Sequence, residues 1–228
     1  MTDISFWLDP MCPWTWRTSR WLRSVTTGRG IEINWHVMSL AILNEGREIP
    51  EAYRERMAES WRVVRLLAAA EAEGGSHAVG RLYDAVGTTV HDQGRELDDT
   101  NVAEALAEAG LPRQLEASRN DRAYDAAVRD SHTRGQARVG TESGSPVIAI
   151  DDGPGFFGPV VTAPPDARGA ERLLDALILL SAVPTFSELQ RARLDPNEDP
   201  DMTAPDSESA PTRGPTFHSS GQLAPGRR

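Results

Sequence analysis

Ile4-Ser5-Phe6-Trp7-Leu8, then Asp9-Pro10-Met11, then Cys12-Pro13-Trp14-Thr15 is the stretch on which the fold turns. The first five residues read as a short apolar strand, and the residues from Pro13 open a helical stretch. Cys12 is the single cysteine of the chain. A cysteine in that place meets unpaired backbone N–H groups and the positive end of a helix dipole. Both favour the thiolate, which is the nucleophile, so a thiol more acidic than free cysteine is expected. Pro13 suits the first helical turn, where its missing N–H would be unpaired anyway. Thr15 follows one turn after Cys12, so its hydroxyl can donate to the sulfur. A lone cysteine is commonly a small buried hydrophobe. Strand, cysteine, proline, aromatic and helix in succession is instead what a thiol active site needs. Cys12 and Thr15 are therefore the expected catalytic residues.

Working outward, residues 14–25 read as a helix, with Trp14, Trp21, Leu22 and Val25 at helical spacing. Gly28 and Gly30 end it. Residues 31–37 alternate with period two and form a second strand, which makes a parallel βαβ unit. From 50 to 140 no strand pattern occurs. Helices are expected over 53–73, 77–91, 101–109 and 121–138, the third capped by Thr100 and closed by Gly110 and Pro112. The sheet pattern resumes with strands at 146–150 and 156–160 around an Asp-Asp-Gly-Pro-Gly turn, a β-hairpin. Helices at 170–182 and 186–193 follow.

The order βαβ, helical block, ββα predicts an α/β thioredoxin fold with an α-helical insertion after the second strand. Residues 1–49 form its N-terminal βαβ part, 50–140 the insertion, and 141–194 the C-terminal ββα part. Residues 195–228 are rich in Pro, Asp, Ser and Gly and bury too little to offset ordering entropy, so they are expected to be a disordered tail, dispensable for the fold. In this fold a cis-proline before the third strand faces the cysteine. Ser145-Pro146 occupies that place, and the backbone of Ser145 would dock a thiol ligand in extended form.

Composition narrows the chemistry. The formal charge of −10 argues against a nucleic-acid binder. All basic residues are arginine, so Schiff-base and P-loop chemistry have no candidate side chain. No Gly-rich nucleotide fingerprint occurs, and neither the scattered histidines nor the one cysteine suit a metal. No apolar run is long enough to span a bilayer, nothing resembles a signal peptide, and one cysteine cannot form an internal disulfide. A cytoplasmic protein of a reducing compartment is expected.

The sequence resembles the DsbA-like branch of the thioredoxin superfamily, and more narrowly the actinobacterial mycothiol-dependent nitroreductase family. The matching stretches are residues 6–14, Thr18-Ser19-Arg20-Trp21, residues 36–45 and His91-Asp92-Gln93-Gly94. Gly144-Ser145-Pro146, Phe156-Phe157-Gly158-Pro159-Val160 and residues 186–191 complete them. The resemblance runs from about Asp3 to Arg193. It implies an enzyme using the low-molecular-weight thiol mycothiol as co-substrate, forming mixed disulfides at the first active-site cysteine. Disulfides and nitro or other electrophilic small molecules are its implied substrates. Family members typically carry a second cysteine where this chain has Thr15, so a dithiol mechanism within one chain is excluded. Beside Pro13, Ser145 and Pro146, the candidate substrate- or thiol-binding residues are Trp14, Asn44 and His91. Trp14 could stack on a flat substrate, and Asn44 stands where the chain enters the insertion. His36 is weighed as a proton donor near the sulfur against a structural histidine. Two rival readings stand: a thiol transferase or isomerase resembling the kappa-class glutathione transferases, and a redox-inactive binding module.

Overall fold

The computed structural model describes residues 2–140 and 142–190. The tail at 195–228 lies outside the described residues. Strand β1 (Asp3–Leu8) is central in a four-stranded sheet. It pairs in parallel with β2 (Glu32–Val37), with Ile4 opposite Ile33 and Leu8 opposite Val37. On its other side it pairs antiparallel with β3 (Val147–Ile150), which in turn pairs antiparallel with the edge strand β4 (Gly155–Phe157). The strand order β2-β1-β3-β4 is that of the expected thioredoxin fold.

The pleat of β1 sends Ile4, Phe6 and Leu8 to one face and Ser5 and Trp7 to the other. The first three are fully buried with Trp21, Leu22 and Val25 of helix α1 (Pro13–Thr26) in the main core. Leu40–Leu43 makes the single turn α2, and helix α3 (Glu51–Gly87) begins the insertion. Leu66, Leu67, Leu82 and Val86 bring α3 onto the same core. So do Leu174 and Leu177 of helix α6 (Ala167–Ser181), the last helix among the described residues. Burial of such side chains stabilises by about 25 cal/mol per Å² of apolar surface, and it outweighs the weak β-preference of single residues. On the opposite face Trp7, Met38, Val147 and Ala149 form a smaller cluster against Val139 of helix α5 (Asp125–Val139). The α4 helix (Asp99–Glu108) completes the insertion.

The expected helices at 53–73 and 77–91 are one element interrupted at Gly74 and Gly75. Gly75 adopts φ 65°, a value that glycine reaches without steric cost. The end of the expected second helix is a turn of π-helix, Thr88–Asp92. Such insertions rotate the side chains that follow, and they recur at functional sites. Three boundaries need correction. Asp98, not Thr100, caps α4, its carboxylate accepting from Asn101 N–H. Strand β4 stops at Phe157, because Gly158 has φ 92°, outside the extended region that a strand needs. Residues 186–190 are not helical. Phe186 packs against Phe156 at a tilt, with ring centres 5.8 Å apart, but Leu189 is 83% exposed. A short segment with so little buried cannot meet the cost of helix nucleation.

Candidate active site

Cys12 ends the loop from β1 and is the N-cap of α1, with extended backbone. Its N–H donates to Asp9 O at 3.2 Å, and its own carbonyl accepts from Trp16 N–H at 3.0 Å, so both sides of the residue are fixed. It is 5% exposed. Across from it the Ser145–Pro146 peptide is cis, as expected. The Cys12 thiol faces the carbonyl of Ser145 at 3.7 Å. Ser145 Oγ lies 2.7 Å from Thr15 Oγ1 and accepts from Asp9 N–H at 2.9 Å. Cys12, Thr15 and Ser145 are thus brought together from 130 residues apart in the chain.

A carboxylate missed by the sequence reading sits below them. Asp9 is fully buried. Its Oδ1 accepts from Met11 N–H at 2.8 Å, and its Oδ2 from Leu40 N–H at 2.7 Å and Ser60 Oγ–H at 3.1 Å. It ties the Cys12 loop to α2 and α3. Desolvation still holds its carboxyl above the ordinary carboxylate range, against those three donors. The only signal in the sequence was an acidic residue between Leu8 and Pro10 in an otherwise apolar run. Tyr53 of α3, also buried, has its phenol pushed up to about 12, first by burial and then by the Asp9 and Cys12 charges.

The expectation of an acidic thiol is overturned here. Burial pushes the Cys12 thiol up to about 11, and the Asp9 charge adds to this. The Thr15 hydroxyl and the amides of Thr15 and Trp14 act in the other direction, favouring thiolate, and do not prevail. The helix N-terminus is where the sequence put it, but the closed shell around the sulfur removes the water that a thiolate needs.

The other candidates divide. His91, on the π turn, reaches the active-site loop: its Nε2–H donates to Pro10 O at 2.9 Å, and its ring stacks on Trp16 at 5.9 Å. Trp16 Nε1–H donates to Asp92 at 2.8 Å, which locks the same turn onto α1. Trp14 is not an open platform. It is buried, and the Arg17 guanidinium lies 5.0 Å over its ring. Pro13 starts α1 as expected and is half-buried. Asn44 ends α2, its Nδ2–H donating to Leu40 O at 2.8 Å, so its amide serves the local turn. His36 stacks on Trp7 at 4.7 Å, in a cleft lined by Ser5, Asn34, Arg134 and Arg138. Burial lowers its pKa to about 4, so it is neutral and structural. Among the described residues no cluster of His, Cys, Asp and Glu could hold a metal.

Comparison with known proteins adds the family context. Residues 11–191 match a family model described as Rv2466c-like, mycothiol-dependent nitroreductase Rv2466c. A curated relative, the uncharacterized protein Rv2286c of Mycobacterium tuberculosis, is 32% identical over 197 residues, covering 85% of this chain and 83% of that one. Among solved structures, the probable DsbA oxidoreductase SCO1869 of Streptomyces coelicolor aligns with a TM-score of 0.54 and 19% identity. It covers 85% of this chain and 95% of that chain. The cytosolic disulfide reductase DsbM of Pseudomonas aeruginosa with GSH aligns with a TM-score of 0.53 and 17% identity, covering 78% of this chain and 100% of that one. At those identities the two structures speak to the fold alone, and the fold is that of DsbA-like proteins.

Proposed function

Because the chain belongs to the Rv2466c-like family, and so to the thiol-dependent oxidoreductases, we propose that it acts as a monothiol enzyme with mycothiol as co-substrate. The observation that carries this reading is the meeting of Cys12 Sγ, the Thr15 hydroxyl and the Ser145 carbonyl at the N-terminus of α1. Cys12 gives up its proton and attacks one sulfur of a disulfide. A new S–S bond forms, the old one breaks, and the leaving sulfur departs with the electron pair and takes up a proton. A second thiol then attacks the mixed disulfide and expels the Cys12 thiolate. No cysteine remains in the chain for that step, so both exchange partners come from outside. Mycothiol supplies the second thiol. For a nitro substrate the balance is the same: two-electron reduction to the nitroso compound consumes the Cys12 thiol and one mycothiol, releases water and leaves the mixed disulfide on Cys12.

In this assignment Thr15 and the Trp14 and Thr15 amides hold the thiolate once it forms, and Ser145-Pro146 docks the thiol ligand. His91 fixes the Asp9-Pro10-Met11 loop through the Pro10 carbonyl. A sulfur that must be kept reduced suits the cytoplasm. No helix among the described residues is long and apolar enough to cross a membrane.

The raised thiol gives one specific reason for a second reading. If Cys12 stays protonated throughout, the site would instead activate the sulfur of a bound low-molecular-weight thiol, as a transferase or isomerase does. Intact mass after incubation with oxidised mycothiol separates the two. Addition of one mycothiol to the protein, absent in Cys12→Ser and reversed by reduced mycothiol, is expected. An unmodified protein that nevertheless binds mycothiol would favour the second reading.

A further inference from the structure

Ser145 enters the fold reading through its backbone, yet its side chain is buried and doubly engaged. Ser145 Oγ has two hydrogen bonds: Asp9 N–H at 2.9 Å and Thr15 Oγ1 at 2.7 Å. An amide can only donate, so Ser145 Oγ accepts there. The 2.7 Å contact between the two hydroxyls admits either donor, and in one of its two orientations the Ser145 proton goes to Thr15 Oγ1. In that orientation Thr15, fully buried, keeps its own proton for the sulfur beside it.

We infer that Asp9 N–H, Ser145 O–H and Thr15 O–H form a hydrogen-bond relay aimed at Cys12 Sγ, with Ser145 as a positioning residue acting through Thr15. The inference rests on the proposed thiolate chemistry of Cys12 and names the element that takes the place of a second cysteine. In the thiol form, S–H faces the Ser145 carbonyl at 3.7 Å and the sulfur makes no capping bond to α1. When the proton leaves, to bulk solvent or to a departing thiolate, the sulfur becomes an acceptor and the relay points at it. Neither hydroxyl loses its own proton, so no net transfer occurs along the chain. Hydrogen bonds in series polarise one another, by about 10–30% per bond. Applied to a charge-assisted bond, this makes Ser145 worth about 1.3- to 5-fold in thiolate population. Losing the Thr15 hydroxyl itself should cost about 10-fold or more.

The test is a double-mutant cycle read by the pH profile of Cys12 alkylation with iodoacetamide, on the full chain. Ser145→Ala should shift the profile to higher pH and slow alkylation about 1.3- to 5-fold at fixed pH. Ser145→Thr, which keeps the hydroxyl, should restore it. In a Thr15→Val background, Ser145→Ala should have no further effect, because the relay has lost its last link. An equal slowing in both backgrounds would overturn the relay, since a structural role in holding the cis-proline loop does not need Thr15. If Ser145→Ala fails to fold, the wild-type hydroxyl protons of Ser145 and Thr15, followed by NMR, serve instead. They should shift together at the Cys12 midpoint, and hydroxyl resonances indifferent to Cys12 ionisation would refute the relay. If wild-type Cys12 neither titrates nor alkylates, the proposed thiol chemistry fails, which is distinct from a reactive Cys12 indifferent to Ser145.

Discussion

Cys12 should titrate as a weak acid in the ligand-free protein. Burial moves its thiol from an ordinary 9.0 to about 11. At pH 7.5 the thiolate fraction would then be about 0.03% rather than about 3%, a roughly 100-fold loss of the reactive form. A more basic thiolate is a better nucleophile, with a Brønsted slope of about 0.4–0.5, which returns about 6- to 10-fold. The net expectation is alkylation by iodoacetamide at least about 10-fold slower than free cysteine at neutral pH, before steric shielding is counted. The rate should climb tenfold per pH unit through pH 10 without a plateau. The same shift affects stability. Above pH 9 the unfolded thiol ionises while the folded one holds its proton, so stability is intact below 9.0 and falls as pH rises to about 11. The loss is about 3 kcal/mol and should vanish in Cys12→Ala. Thiolate ultraviolet absorbance against pH, with urea unfolding at two alkaline pH values, measures both. A midpoint at or below 9 would show that the helix N-terminus and Thr15 outweigh burial, and the account of a closed, protonated site would be wrong.

Three further outcomes are expected. Thr15→Cys should give a protein that loses both thiols under mild oxidant, because Cys12 and Thr15 stand one turn apart at the start of α1 with side chains in reach; two thiols that stay titratable with Ellman-type reagent would contradict the drawn loop. His36, held at about 4 against an ordinary 6.5, should make the fold acid-sensitive: the unfolded ring takes a proton that the folded one refuses, so stability present above pH 6.5 is lost toward pH 4, by at most about 3 kcal/mol. His36→Gln should flatten that slope in urea unfolding between pH 7 and pH 5, and an unchanged slope would transfer the effect to His132, whose pKa burial also lowers. Gly87→Ala puts a methyl group into the Trp16 ring, and overpacking of about 1–3 kcal/mol should exceed the helix-propensity gain of at most about 1, lowering the melting temperature.

The chain's local chemistry carried its architecture. Period-two alternation in residues 31–37 and the apolar run after Met1 marked the parallel pair, the gap in strand pattern from 50 to 140 marked the insertion, and Ser145-Pro146 marked the facing loop. Those signals were readable because each depends on neighbours within a turn or a strand. Asp9 was not readable, since its three donors come from Met11, Leu40 and Ser60, and only packing α2 and α3 beside β1 brings them to one carboxylate. Nor was the direction of the Cys12 shift. The sequence supplied a helix N-terminus and a hydroxyl, which favour charge, but ionisation also depends on how much water reaches the sulfur. That is decided by Ser145 closing over it from 133 residues away, and desolvation in a sealed site outweighs dipoles that a sequence can place.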